Sequence, residues 1–115
     1  TLRFARVAGY QNAMRYVLTG DFFDAAEAQR MGLVQEVTDV GAQFERALSV
    51  AETIARQAPL AVQASMVNAR TAVEEGHAAA LAGMMDEARA LMASDDAREG
   101  LMSFVERREA RFTGR

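Results

Sequence analysis

Apolar residues recur with the spacing of an α-helix through the second half of this sequence, and this pattern limits the fold more than any other feature. Between residues 44 and 55 they fall three or four positions apart, on one side of a helix. Pro59 would end that helix and suits the first turn of the next, and similar stripes follow at 62–73, 80–92 and 101–112. The sequence therefore predicts a mainly α-helical fold in which each helix has an apolar side.

The first third of the chain predicts shorter helices. Residues 1–8 could form one, and residues 10–18 a second that ends at Gly20, because glycine adopts the left-handed conformation of a helix end at little cost. Asp24 then opens a capping box, in which its carboxylate accepts from the first-turn amides. Glu27, three residues later, can reach back to complete the box.

One short β-strand is expected at residues 33–37, which read LVQEV and are rich in β-branched side chains. A single strand cannot satisfy its own backbone groups, so it needs a neighbour. We expect this strand to pair with a strand from another segment or from another chain.

Composition excludes several classes of protein. The chain has 115 residues, a formal net charge of −3 and no cysteine. This charge argues against nucleic-acid binding, which usually needs a basic face, and the absence of cysteine excludes disulfides and thiolate metal sites. No apolar run approaches the roughly 20 residues that span a bilayer, and no signal peptide is visible. We therefore expect a cytoplasmic protein that binds neither nucleic acid nor membranes.

The last 21 residues, 95–115, read DDAREGLMSFVERREARFTGR and predict a helix followed by a short basic tail. They resemble the C-terminal signature of the enoyl-CoA hydratase/isomerase (crotonase) superfamily, S-x-D-x-R-E-G-x-x-A-F-x-E-K-R-x-x-x-F. Other segments match motifs of this family in the same order, and each motif alone is weak. They are residues 1–9 (TLRFARVAG), 18–21 (LTGD), 24–34 (DAAEAQRMGLV) and 58–62 (APLAV). Because the motifs keep the family's order and spacing, the resemblance covers essentially the whole chain.

This resemblance implies that residues 1–115 are the C-terminal helical segment of a crotonase-like α/β spiral fold whose N-terminal catalytic spiral is absent from the sequence. Family members hold the thioester oxygen with two backbone N–H groups as it becomes an enolate, and hydratases add carboxylates as general acid and base. Those groups would lie before Thr1, so no catalytic residue and no metal ligand is expected here. The resemblance implies acyl-CoA as substrate, no cofactor, and a homo-oligomer, either a trimer or a dimer of trimers.

Two residues are candidates for contact with coenzyme A, again by resemblance. Arg107 stands where the family's E-K-R has a lysine that can lie near the adenine and 3′-phosphate, and arginine can bind phosphate through two parallel hydrogen bonds. Phe104 could line the pocket beside the coenzyme. The alternatives are a solvated charge for Arg107 and packing in a core or an interface for Phe104.

Other residues invite a functional interpretation that the sequence does not favour. Ala88 and Met92 stand where some relatives have aromatic walls of the acyl pocket, which leaves the acyl preference open. His77 has no partner for a metal site. Ser94, Asp95 and Asp96 can cap the last helix, and this capping suffices to explain Asp95 and Asp96.

The resemblance favours part of a hydratase or isomerase of fatty-acid metabolism that covers the acyl-CoA site and mediates oligomerisation. A stand-alone helical interaction module without catalysis is the alternative. An unrelated helical bundle, such as an adaptor or a DNA-binding protein, fits less well because of the motif order and the acidic pI of about 5.1.

Overall fold

The computed structural model describes residues 2–115, and these form helices joined by turns. No strand occurs among them, which confirms a mainly α-helical fold; the predicted first helix included Thr1, which lies outside the described residues. The chain divides into two compact units, one ending at Ala47 and the other comprising Leu48–Arg115. The helices are α1 (Leu2–Ala8), α2 (Tyr10–Thr19), α3 (Ala25–Arg30), α4 (Gln43–Ala55), α5 (Pro59–Glu74), α6 (His77–Met92) and α7 (Asp95–Glu106).

An aromatic cluster organises the first unit. The Tyr16 ring meets the Phe23 ring edge to face with centroids 4.8 Å apart, and Phe23 also lies 5.8 Å from Phe4. Such pairs add to the stability that burial alone provides. The aromatic cluster joins α1 and α2 to the segment before α3. Tyr16 also belongs to a small hydrophobic core with the buried Ala8 and Met31, against which Phe4 and Leu33 pack.

The ends of α2 and the start of α3 follow the sequence prediction. Gly20 has the left-handed φ of 74° and donates its N–H to the Tyr16 carbonyl at 2.9 Å. Asp24 Oδ1 accepts the N–H of Glu27 at 2.8 Å, which caps the first turn of α3. Both helix boundaries therefore depend on local interactions of the kind a sequence pattern can reveal.

The second half of the predicted capping box is wrong. Glu27 does not return to Asp24, because its carboxylate accepts the Tyr16 hydroxyl at 2.9 Å and Arg30 Nε and Nη2 at 2.6 and 2.7 Å. These hydrogen bonds, Arg30 first and Tyr16 second, lower the pKa of Glu27 to about 2. Burial and the same hydrogen bond raise the pKa of Tyr16. Glu27 thus joins α2 to α3, since a charged partner binds a carboxylate more strongly than a single amide does.

The predicted strand at 33–37 is also wrong, since that segment is irregular. Its backbone groups bond locally: Leu33 N–H donates to the Ala28 carbonyl at 2.9 Å, and the Gln35 carbonyl accepts Gln29 Nε2 at 3.2 Å. β-Branched composition makes a strand only where a neighbouring strand completes the ladder, and no strand exists elsewhere in residues 2–115.

The second unit contains a helical hairpin, α5 followed by α6. Pro59 begins α5 as predicted, and Gly76, with a φ of 98°, precedes α6. Asn68 Nδ2 of α5 donates to the carbonyl of the buried Ala80 of α6 at 3.1 Å. α7 packs against α6, so the last helix is in contact with this hairpin.

Many large apolar side chains of both units are exposed. Phe104 is 83% exposed, Met92 79% and Phe44 73%, and no large side chain among residues 2–115 is completely buried. The apolar stripes seen in the sequence are therefore present, but most of their area is uncovered within this chain. None of the described helices has the length and apolar character needed to cross a membrane.

Candidate functional site

The candidate site lies at the C-terminal end of α7. This helix begins as the sequence predicts: Ser94 Oγ accepts the Ala97 N–H at 3.1 Å, and Asp95 and Asp96 stand in the first turn. Negative charges at this end are favourable because the helix dipole is positive there. The start of α7 is thus defined by the Ser94 cap and by the two acidic residues that follow it.

The chain reverses direction at Arg107, immediately after α7. Arg107 N–H bonds to the Phe104 carbonyl at 3.3 Å and Arg108 N–H to the Ser103 carbonyl at 3.1 Å, a Schellman arrangement. Arg107 adopts φ 53° and ψ 43°, and it alone among the described non-glycine residues has a positive φ. This left-handed conformation costs a residue with a Cβ roughly 1–2 kcal/mol, so neighbouring contacts must hold it.

Residues 108–115, the C-terminal strap, run back along α7. At the far end of the strap, Asp96 accepts the N–H groups of Thr113 at 2.7 Å and Gly114 at 2.9 Å, and its own N–H bonds to the Arg115 carbonyl at 3.2 Å. Asp96 is only 3% exposed. The interpretation that capping alone explains Asp96 is therefore wrong: its carboxylate anchors the end of the strap to the start of α7.

Glu99 fastens the near half of the strap. Its carboxylate binds the Arg108 guanidinium through two contacts of 2.5 and 2.8 Å and also accepts the Arg111 N–H at 2.7 Å. The Arg108 hydrogen bonds, followed by that of Arg111, lower the pKa of Glu99 to about 2. Arg108 Nε also binds Glu106 at 2.6 Å, and these two carboxylates raise the pKa of Arg108. Arg108 is thus paired with two carboxylates, those of Glu99 and Glu106.

Apolar contacts complete the attachment of the strap. The ring of Phe112 lies against α7 at Gly100, where a Cβ atom would be 3.7 Å from the ring, an ordinary contact distance. A Cβ atom at Gly114 would meet Pro59 at 3.6 Å. The strap is thus held to α7 along its length and reaches the start of α5.

The two residues expected to contact coenzyme A stand at the same end of α7. Phe104 is not buried within the described chain, which leaves interface or ligand packing for it. The Arg107 side chain is exposed and forms no ion pair with any residue of 2–115. Both side chains are therefore available to a ligand or a partner, and their contact with coenzyme A stays a prediction.

Other candidate positions show no comparable arrangement. Ala88 and Met92 are exposed on α6, and His77 stands at its first position. Within the part of the chain that the structure describes, no three His, Cys, Asp or Glu side chains come together as a metal site would require. The end of α7 with its strap is consequently the arrangement that the functional argument rests on.

Sequence comparisons match this chain to one family along its full length. The family model described as enoyl-CoA hydratase/isomerase covers residues 1–115. The chain is 36% identical over 115 residues to the 2,3-dehydroadipyl-CoA hydratase of Escherichia coli, covering 100% of this chain and 45% of that protein. It is 39% identical over 117 residues to a probable enoyl-CoA hydratase of Rhizobium meliloti, covering 98% and 44%.

Solved structures give the same result. A probable enoyl-CoA hydratase/isomerase from Mycobacterium abscessus superposes with a TM-score of 0.91 and 52% identity, over 98% of this chain and 44% of that one. An enoyl-CoA hydratase from Mycobacterium tuberculosis gives 0.87 and 33%, over 99% and 45%. The chain therefore spans less than half the length of these relatives.

Proposed function

Because this chain belongs to the enoyl-CoA hydratase/isomerase family, we propose that it is the C-terminal segment of an enzyme that hydrates or isomerises acyl-CoA thioesters. The observation that carries the proposal is the extent of the match: all 115 residues align, yet they account for only 45% of the 2,3-dehydroadipyl-CoA hydratase of Escherichia coli. A helical segment of this kind would work together with the remainder of such an enzyme.

In this proposal the chemical step belongs to residues outside the chain. The reaction needs donors that hold the thioester oxygen as it gains negative charge, and a hydratase also needs carboxylates that move protons to and from water. By resemblance, those groups precede Thr1. The chain supplies none of them, and the enzyme needs no cofactor besides the coenzyme A of its substrate.

The contribution of this segment is to cover the acyl-CoA site and to mediate assembly. Exposed apolar residues on several helices support this role, because uncovered apolar patches usually mark surfaces that bind a partner. The assembly proposed is a homotrimer or a dimer of trimers in the cytoplasm.

Arg107, with Phe104 beside it on α7, is proposed to contact the nucleotide end of coenzyme A. The guanidinium is exposed and has no carboxylate partner among residues 2–115, unlike that of Arg108. Its planar fork suits bidentate binding of a phosphate. The exposed Phe104 ring offers a flat apolar surface one turn earlier on the helix.

Turnover of crotonyl-CoA tests the proposal. Loss of the conjugated thioester absorbance should be catalysed by the protein of full family length that carries this chain, and not by residues 1–115 alone. Turnover by the isolated chain above that of a heat-treated sample would contradict the assignment of the chemical step to residues outside this chain. Failure of the full-length protein on enoyl-CoA substrates of several chain lengths would contradict the proposed reaction class.

The alternative is a stand-alone helical interaction module without catalysis. The genomic reading frame upstream of Thr1 distinguishes the two. A turn-rich segment that ends in two glycines just before Thr1 supports the enzyme, whereas a frame that begins near Thr1 supports the module.

A further inference from the structure

Arg107 is held in its conformation by interactions on both sides of it. Before it, α7 ends in the Schellman arrangement; after it, Arg108 is bound by Glu99 through two contacts of 2.5 and 2.8 Å. Within the described residues, the Arg107 side chain forms no ion pair. The direction in which this side chain leaves the backbone therefore depends on the backbone conformation of Arg107, which the attachment of the strap to α7 helps to hold.

We propose that Glu99 and Asp96 are positioning residues for the coenzyme A contact of Arg107: by fastening the strap to α7 they hold the Arg107 backbone in the left-handed conformation from which its guanidinium meets the nucleotide. Neither carboxylate touches the ligand. The inference rests on the proposed function, because it requires Arg107 to bind the nucleotide end of the substrate.

The chemistry of the two carboxylates suits this role. The Glu99 carboxylate accepts hydrogen bonds from the Arg108 side chain and from the Arg111 N–H. The buried Asp96 carboxylate accepts hydrogen bonds from two backbone N–H groups of the strap. A carboxylate has two accepting oxygens, whereas an amide turns a donating NH₂ toward one of these donors. An amide at either position would therefore release one attachment while changing the side-chain volume very little.

The test uses the full-length protein that carries this chain and compares two substrates, crotonyl-CoA and a crotonyl-pantetheine thioester without the nucleotide. Glu99→Gln is expected to raise KM for crotonyl-CoA about three- to tenfold, in the range of coupling between neighbouring groups. It should leave KM for the pantetheine thioester unchanged. A purely structural defect would change both values together.

Glu109→Gln is the matched control. Like Glu99→Gln, it removes one negative charge. The exposed Glu109 side chain forms no hydrogen bond or ion pair with any residue of 2–115, since only its backbone carbonyl accepts a hydrogen bond from Arg108. Its KM for crotonyl-CoA should equal that of the parent protein. An equal rise in Glu109→Gln and Glu99→Gln would show a general charge effect and overturn the positioning role.

A double-mutant comparison separates this inference from the proposed function. If Glu99 acts through Arg107, Glu99→Gln should raise KM no further in an Arg107→Gln background. If Arg107→Gln raises KM and Glu99→Gln does not, the positioning role is wrong and the coenzyme A contact stands. If Arg107→Gln leaves KM unchanged, the contact itself is wrong.

A milder variant decides the question if Glu99→Gln fails to fold. Arg108→Lys keeps the positive charge but cannot bind Glu99 through two parallel hydrogen bonds. It should show the same selective rise of KM for crotonyl-CoA, smaller than that of Arg107→Gln. An unchanged ratio of the two KM values in folded Arg108→Lys would overturn the proposal.

Discussion

Asp96 and Glu99, three residues apart on α7, bind backbone N–H groups of the same returning segment: Glu99 that of Arg111, and Asp96 those of Thr113 and Gly114. Residues with this spacing stand on one face of a helix. Two carboxylates on one face thus attach a segment without regular secondary structure to a helix. The predictions below concern this attachment, the residue where it begins and the surfaces beside it.

Arg107→Glu in the full-length protein should weaken binding of the coenzyme A ester while the chemical step is nearly unaffected. The nucleotide lies far from the reacting carbons, so the lost contact should raise KM rather than lower kcat. A charge-assisted hydrogen bond contributes about 1.5–3 kcal/mol, which corresponds to roughly 10- to 100-fold in KM. Steady-state kinetics would measure this, and the effect should shrink at high salt.

The control for Arg107→Glu is the pantetheine thioester, which lacks the nucleotide and should not distinguish the variant from the parent. If KM for the complete coenzyme A ester is unchanged, Arg107 is a solvated surface charge.

Arg107→Gly should stabilise the protein and weaken substrate binding at the same time. Glycine adopts the left-handed conformation of this position without a Cβ penalty, so the unfolding free energy should rise by about 1 kcal/mol. Arg107→Ala is the matched variant, since it removes the charge but keeps the Cβ. Thermal unfolding should separate the two variants, whereas their KM values should agree; equal melting temperatures would argue against strain at Arg107.

Lowering the pH should remove the stabilising contribution of the Glu99 carboxylate to the folded protein. Its pKa in the folded protein is about 2, below the ordinary value of 4.5. A lowered pKa in the folded state means that the contribution is complete above the unfolded pKa and disappears as the pH falls through the folded one. Urea unfolding should show the parent more stable than Glu99→Gln at about pH 5, with the difference shrinking toward about pH 2. A difference that stays constant over this range would contradict the ion pair.

Gly100 should accept alanine but not leucine. A Cβ atom there would lie 3.7 Å from Phe112, an ordinary contact distance, so Gly100→Ala should stabilise α7 by about 0.5–1 kcal/mol. Gly100→Leu would push the ring away from the helix, which should cost about 1–3 kcal/mol. Leucine favours helices nearly as well as alanine. The difference between the unfolding free energies of the two variants, measured with urea, therefore reports on the displacement of the Phe112 ring. Destabilisation by alanine would show that Phe112 cannot adjust.

The full-length protein should be an oligomer. Large apolar side chains such as Phe44 and Met92 are exposed here, and the remainder of the protein and neighbouring subunits are expected to cover them. Light scattering over a dilution series should give a trimer or a multiple of three. A well-folded monomer at micromolar concentration would contradict this prediction.

The sequence predicted those features whose causes are local. The end of α2 at Gly20, the start of α5 at Pro59 and the caps at Asp24 and Ser94 depend on residues within one turn. A residue type at such a position therefore carries the information needed to place it.

The features that escaped prediction depend on distant partners. Asp96 accepts N–H groups from residues 17 and 18 positions further along the chain, and Glu27 accepts the hydroxyl of a tyrosine 11 residues away. Their local patterns therefore indicated capping alone. Residues 33–37 have strand composition, but a strand also requires a neighbour. The contact of Arg107 and Phe104 with coenzyme A rests on resemblance, because the ligand chemistry is not encoded in their spacing.

The antiparallel course of the strap separates Arg115 from Arg107. Arg115 bonds to Asp96 at the beginning of α7, and the 12 residues of this helix span about 18 Å at 1.5 Å per residue. A fluorophore attached at position 115 would therefore sit away from the proposed nucleotide contact. Energy transfer from this fluorophore to a second dye near the other end of the helix would then change when the strap is released from α7.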